Sequence, residues 1–421
     1  MSTFFGSGLE LASALYRAYT RLWYNRDIGG GWIPSVVKLG LEIRAEVERV
    51  RKAQIRGDWA RYHRRNGRVV EVEGEEREQS RKVADEWLHW LRGCDAAYAT
   101  TPEELIRRAG GLIEDERQIL LANFESSRTQ PAFFIGLVGE NEADRLTRKT
   151  VVMGVRGTQS ASDVLTDLTV EVDTFLGDVG HLGVVHSACY LGDRADVRQL
   201  LLDHLNRGFC VVVVGHSLGG GIALALAMYL KQISGEILAP SIHAVAFGPP
   251  PIVSGELAKH FELDPTMRTL VNGFDIVPRL SVSSFERLIS RLVPLPPTVR
   301  MGSRSETVDF LSGAFQFVSV LAYGVPSASL RPAGNPSSRE LSVRSGSYRC
   351  LELRMPGRLF HLHDTGGSHP TLEMLDDLHC DVFGDIILSD CMLYDHSVPA
   401  IRNALQRWKD MAETNSASHG S

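Results

Sequence analysis

The residues best suited to covalent chemistry sit in the pentapeptide Gly215-His216-Ser217-Leu218-Gly219, between a β-branched run and an Ala/Leu-rich segment. A serine hydroxyl is a weak nucleophile at neutral pH. It becomes effective when an imidazole within hydrogen-bond reach takes its proton and a carboxylate orients that imidazole. The pattern G-x-S-x-G is common by chance, so its placement decides. At the end of an apolar strand and the start of a helix, a sharp turn lifts the hydroxyl clear of the sheet, and the glycines let the backbone pack closely around it. Ser217 is therefore the candidate nucleophile; a Gly-rich turn with a capping serine is the alternative.

In this setting the acid and then the histidine follow the serine along the chain. Asp275, in LVNGFDIVPRLS, comes after an apolar run and before Pro278, where a carboxylate on a strand-end loop reaches such a site; an aspartate that merely starts a turn is the competing reading. For the base, His361, His363, His369, His379 and His396 all stand downstream of Asp275. His361 and His363 fall in or just after a predicted strand, with alternation aiming both at one face, and His369 precedes Pro370 in a Gly/Ser loop. His379 neighbours Cys380 late in a helical-looking stretch, while His396, in CMLYDHSVPAIRNAL, lies at a loop-to-helix junction beyond the last predicted strand. That junction suits a base swinging over the serine, yet the residues alone leave the choice open. Stabilising a developing oxyanion takes two backbone donors. One is the N–H following the nucleophile, on Leu218, and Arg156-Gly157-Thr158, closing the run KTVVMGV, offers a second in Thr158.

These side chains need a scaffold. With 43% hydrophobic and 23% charged residues, the 421-residue chain can bury one large domain plus an appendage. From Pro131 onward short apolar runs (PAFFIGLV, KTVVMGVRGT, FCVVVVGHS, IHAVAFGPP, TLVNGFDIVP, LELRMPGRLFHLH) alternate with helical patterns such as ADVRQLLLDHLNRG and IALALAMYLKQIS. That alternation predicts an α/β fold with a mostly parallel central sheet covered on both faces. The expected organisation is an N-terminal helical region over 1–95, a catalytic domain over 96–410 interrupted by an irregular insertion at 285–349, and a flexible tail at 411–421. The Arg-rich stretch 44–68 reads as a solvated helix face laced by Glu–Arg pairs, with contact to anionic headgroups as the alternative.

Other classes are disfavoured. A formal net charge of −6 argues against a general nucleic-acid binder. Six cysteines scattered through the chain read as reduced thiols, and the first residues lack the pattern of a secretory signal, so a cytoplasmic protein is expected. Residues 209–230 pass without a formal charge, but Gly215 to Gly221 break the run into strand, turn and buried helix, so no membrane span is expected. The histidines lack metal-ligand spacing, and no cofactor or metal is expected.

Six ordered blocks, ILLANFESSRTQPAFFIGL, VVMGVRGTQSASDVLTDL, VVVVGHSLGGGIALALA, VNGFDIVPRLSVSSFERL, LRMPGRLFHLH and CMLYDHSVPAIRNAL, resemble the class 3 lipases and within them the sn-1-specific diacylglycerol lipases. The resemblance runs from about Ile119 to Leu405. It implies the α/β-hydrolase fold, a Ser217–His396–Asp275 triad, Thr158 and Leu218 as oxyanion donors, and Asp163 and Asp167 as structural carboxylates. It also implies that the insertion covers or regulates the site. Where the animal enzymes carry a multi-span membrane domain, a short helical region is expected here. The expected function is hydrolysis of glycerolipid esters, diacylglycerol foremost, at a peripheral membrane or lipid-droplet surface. The apolar residues Phe310, Leu311, Phe315, Phe317, Val318 and Leu321 read as a lipid-facing lid. Phospholipase A1 or monoacylglycerol lipase activity from the same triad is the alternative, and a catalytically silent scaffold is the alternative of another class.

Overall fold

The computed structural model describes residues 45–52, 69–71, 77–127, 129–138, 149–158, 172–281, 284, 287–288, 291, 352–363, 371–375 and 381–417. The chain divides into two compact units, Met1–Glu46 with Glu286–Glu352, and Val47–Phe285 with Leu353–Ser421. Nearly every described residue belongs to the second unit.

Its centre is a nine-stranded sheet in the order β1 (Val69–Glu71), β13 (Thr371–Leu375), β12 (Arg358–His363), β10 (Met267–Asn272), β8 (Ile242–Phe247), β7 (Cys210–His216), β4 (Thr150–Val155), β3 (Phe133–Leu137) and β2 (Ile119–Asn123). The five strands from β12 to β4 are parallel, and antiparallel strands close both edges. The mostly parallel sheet is the one expected from the alternating pattern, and its arrangement is the α/β-hydrolase fold that the resemblance implies. Burial explains why the central strands are nearly continuous in apolar residues. Val211 and Val213 of β7 enter one core cluster, and Val212 and Val214 enter the cluster on the opposite face.

Helices α3 (Leu182–Asp193), α4 (Ala195–Asn206), α5 (Leu218–Ser234) and α6 (Gly255–His260) supply the first cluster. Helices α1 (Arg77–Ala96), α2 (Pro102–Ala109) and α7 (Val398–Ala417) supply the second, through Trp87, Trp90, Leu105, Ile401, Leu405 and Trp408. The uncharged run at 209–230 is strand, turn and buried helix, and among the described residues no helix is long and apolar enough to cross a membrane.

Several expectations change. The run LELRMPGRLFHLH is two strands in two sheets. Leu353–Arg354 (β11) joins a small four-stranded sheet with β9 (Val253–Ser254), β6 (Asp178–His181) and β5 (Val172–Phe175), and the chain then breaks at Gly357, whose φ is +84°. Val69–Glu71 lies in the stretch read as helical, yet it pairs with β13, its two β-branched valines suiting a strand. Helix α1 packs on the central sheet with α7, so the boundary drawn at residue 95 cuts one compact unit. The terminal helix continues to Ala417, so much of the stretch expected as a floppy tail is helical. The helices expected at 5–43, most of the insertion at 285–349, and Asp163 and Asp167 lie outside the described residues.

Candidate active site

The strand–turn–helix around Ser217 is held by close backbone approach. Ser217 has φ 60° and ψ −132°, a region ordinarily left to glycine and costing on the order of 1–3 kcal/mol. Hydrogen bonds hold it there: Ser217 N–H donates to the Phe247 carbonyl at 2.9 Å, and the Ser217 carbonyl accepts from Gly220 N–H at 2.9 Å. Gly219 is required for packing, because a β-carbon there would lie 2.6 Å from the Gly157 nitrogen and 2.8 Å from the Arg156 carbonyl carbon. The turn therefore backs directly onto the loop that carries Thr158.

The loop after β10 brings in the carboxylate. Asp275 is fully buried, and its Oδ1 accepts from Val277 N–H at 2.9 Å. The loop before α7 brings in the imidazole. His396 Nδ1 lies 2.9 and 3.0 Å from the two Asp275 oxygens, and His396 Nε2 lies 3.0 Å from Ser217 Oγ. The structure thus brings together the serine, carboxylate and one histidine out of five candidates. His361 is buried elsewhere, its Nε2 donating to the Gly273 carbonyl at 2.8 Å, so it braces the carboxylate loop. His369, His379 and the His363 side chain lie outside the described residues.

Leu218 opens α5, where the first N–H groups have no partner within the helix and the helix dipole favours negative charge. The Thr158 hydroxyl is buried without a hydrogen-bond partner among the described residues, and its loop is anchored upstream by Arg156, whose Nη2 donates to Ser126 Oγ at 2.5 Å and whose backbone N–H donates to the Ala132 carbonyl.

Three further residues had no assigned role in the sequence. Asp395 stitches the base loop to the acid loop: its Oδ2 accepts from Phe274 N–H at 2.8 Å and from Cys391 Sγ at 3.2 Å, and its carbonyl accepts from Asn272 Nδ2 at 3.0 Å. Burial pushes the Asp395 carboxyl up to about 6, with the Asp275 charge adding to the effect. Arg279 is fully buried behind the acid loop, donating from Nη1 to the Val382 carbonyl and lying over the Phe383 ring at 5.1 Å. Burial lowers its guanidinium to about 10. His216, immediately before the serine, is held neutral with its pKa near 3, first by burial and then by the proximity of His396. Only its place inside the pentapeptide could have drawn attention to it.

The sheet, the strained serine turn and the two loops define an α/β-hydrolase. Residues 152–285 match the family model Lipase (class 3). The chain is similar to mouse diacylglycerol lipase-beta, 29% identical over 299 residues covering 62% of this chain and 42% of that protein. It is likewise similar to human diacylglycerol lipase-alpha, 27% identical over 289 residues covering 62% of this chain and 26% of that one. The chain thus spans less than half the length of the relatives it matches. Among solved structures, a Rhizomucor miehei lipase in complex with its propeptide is 16% identical with a TM-score of 0.46, over 78% of this chain and 81% of that one.

Proposed function

We propose that the protein is a serine lipase that hydrolyses acyl esters of glycerolipids, diacylglycerol to monoacylglycerol and free fatty acid foremost. Ser217 is the nucleophile, His396 the general base and acid, and Asp275 the carboxylate that orients the imidazole. The observation carrying this reading is the continuous path from Asp275 through His396 to Ser217 Oγ, at 2.9 and 3.0 Å, in a buried site.

Ser217 Oγ attacks the ester carbonyl while His396 Nε2 takes its proton, and the backbone N–H groups of Leu218 and Thr158 receive the charge that develops on the carbonyl oxygen. The bond to the leaving alcohol breaks as His396 returns the proton to that oxygen. Water then gives a proton to His396 and its hydroxide to the acyl carbon; fatty acid departs, and the proton returns to Ser217. Asp275 stays ionised throughout and stabilises the imidazolium. Similarity to the diacylglycerol lipases favours diacylglycerol as substrate, and the apolar residues between Phe310 and Leu321 favour action at a lipid surface.

A fluorophosphonate probe should label the purified protein at Ser217, and Ser217→Ala should abolish both labelling and hydrolysis. Hydrolysis retained in pure Ser217→Ala protein would overturn the assignment. Profiling diacylglycerol, phospholipid and monoacylglycerol tests the substrate, and turnover greatest on phospholipid or monoacylglycerol would displace diacylglycerol.

A further inference from the structure

We infer that Tyr98 and His216 form a strut that sets the base at its distance from the oxyanion loop, making both of them positioning residues for the proposed reaction. The inference rests on the triad reading above and extends it to two side chains outside the triad. His216 Nε2 donates to the backbone carbonyl of His396, 2.7 Å away, and His216 Nδ1 accepts from the Tyr98 hydroxyl at 3.3 Å. A carbonyl only accepts, so the His216 proton belongs on Nε2 and Nδ1 is left as the acceptor; the network admits one neutral tautomer. The two imidazoles lie against each other, ring centroids 4.6 Å apart with an interplanar angle of 34°.

The Tyr98 hydroxyl also lies against the backbone of Gly157, the residue before Thr158. A β-carbon at position 157 would lie 2.8 Å from that hydroxyl and 2.5 Å from the His216 carbonyl oxygen, so the contact requires glycine. One phenol–imidazole pair therefore touches three segments remote from one another in sequence: the oxyanion loop, the serine turn and the base loop. Tyr98 enters from just beyond α1, whose last turn is tied to α7 by Asp95 and Arg402 at 2.7 Å.

The neutrality of His216 has a chemical consequence. Activating Ser217 turns His396 into an imidazolium, and a second cation in ring contact would oppose that step. A neutral ring fixes the backbone of the base without that penalty. Turnover depends steeply on such placement, since displacing a reacting group by about 1 Å can cost on the order of 100-fold.

A strut acts on turnover, not on affinity. Tyr98→Phe, which keeps the ring and removes the hydroxyl with its hydrogen bond to His216, should lower kcat about 10-fold with KM unchanged within about twofold. His216→Leu should lower kcat on the order of 100-fold, and His216→Gln, which keeps a side-chain N–H for the His396 carbonyl, should recover about 10-fold of that loss. Rates on a soluble short-chain ester are normalised to sites titrated by the fluorophosphonate, so misfolded protein does not count. Wild-type kcat in Tyr98→Phe, or equal losses in His216→Leu and His216→Gln, would overturn the strut. Ser217→Ala, which has no serine to titrate and is compared per mole of folded protein, separates the two ideas. Activity surviving there sinks the triad reading and the strut with it, whereas an inactive Ser217→Ala beside a fully active Tyr98→Phe sinks the strut alone.

Discussion

Two regions of the second unit are joined in opposite ways. At the carboxyl ends of the parallel strands, the segments at the ends of β7 and β10 and before α7 are stitched by buried, directional hydrogen bonds among His216, Asn272, Asp275, Asp395 and His396. On the face formed by α1 and α7, apolar packing is supplemented by solvent-facing ion pairs: Asp95 with Arg402, Asp95 with Arg108, and Asp85 with Lys409. Buried bonds lose a whole desolvation penalty when one partner is removed, whereas solvated pairs fall back on water. Substitutions at the first region should therefore act on chemistry steeply, and at the second on stability weakly.

The largest effect tests the first half of that contrast. Asp275→Asn keeps the size of the side chain but removes the charge that faces the imidazolium and can reverse the tautomer of His396. We expect kcat on a soluble ester to fall on the order of 10⁴-fold, by analogy with serine triads generally, while thermal unfolding still shows a cooperative transition. A loss under about 10-fold would mean that the carboxylate is a structural brace only.

How far the sequence reveals this arrangement depends on the range of the interaction concerned. The VVVV run of β7 is legible because a strand buried on both faces must be apolar throughout, and the glycines beside Ser217 are legible because the turn needs them locally. Gly357, which splits LELRMPGRLFHLH between two sheets, looks like any loop glycine until its φ of +84° is known. His361 and His396 are the same residue type in similar chain positions. What separates them is that one donates to the Gly273 carbonyl and the other faces Asp275 and Ser217, contacts set by strand order that no local pattern encodes. Tyr98 sends no signal at all, since its contacts lie 59 and 118 positions downstream at Gly157 and His216. The edge strand β1 is hidden by its brevity.

A smaller effect, on stability, sharpens the comparison inside the buried region. Asp395 has its carboxyl raised to about 6 in the folded protein against an ordinary value of 3.8. Between those values the folded state holds a proton that the unfolded chain has released. The group's contribution is therefore complete below about pH 4 and is lost as pH rises through 6, opposite to a salt-bridged carboxylate. Asp395→Asn removes the titration. Going from pH 5 to 7.5, wild type should lose on the order of 1 kcal/mol relative to Asp395→Asn in denaturant unfolding; a constant difference would show that Asp395 does not titrate there.

The smallest expected effect probes the other region. Lys409 Nζ lies 2.6 Å from Asp85 Oδ1, joining α7 to α1, but the Asp85 side chain is 49% exposed and the Lys409 side chain 20%. Such a pair gains little over hydration, costs side-chain entropy and is screened by salt, so Lys409→Ala should destabilise by at most about 1 kcal/mol. Part of that loss comes from the lysine stem, whose methylenes cover apolar surface beside the helix pair and are indifferent to salt. Lys409→Met keeps most of the stem and removes the charge, so the loss remaining in Lys409→Met is the electrostatic part. That part should vanish in 1 M NaCl, where the screening length is about 3 Å, and kcat should stay within about twofold of wild type in both variants. A loss of several kcal/mol insensitive to salt would place this pair with the buried bonds of the reaction centre and erase the distinction between the two regions.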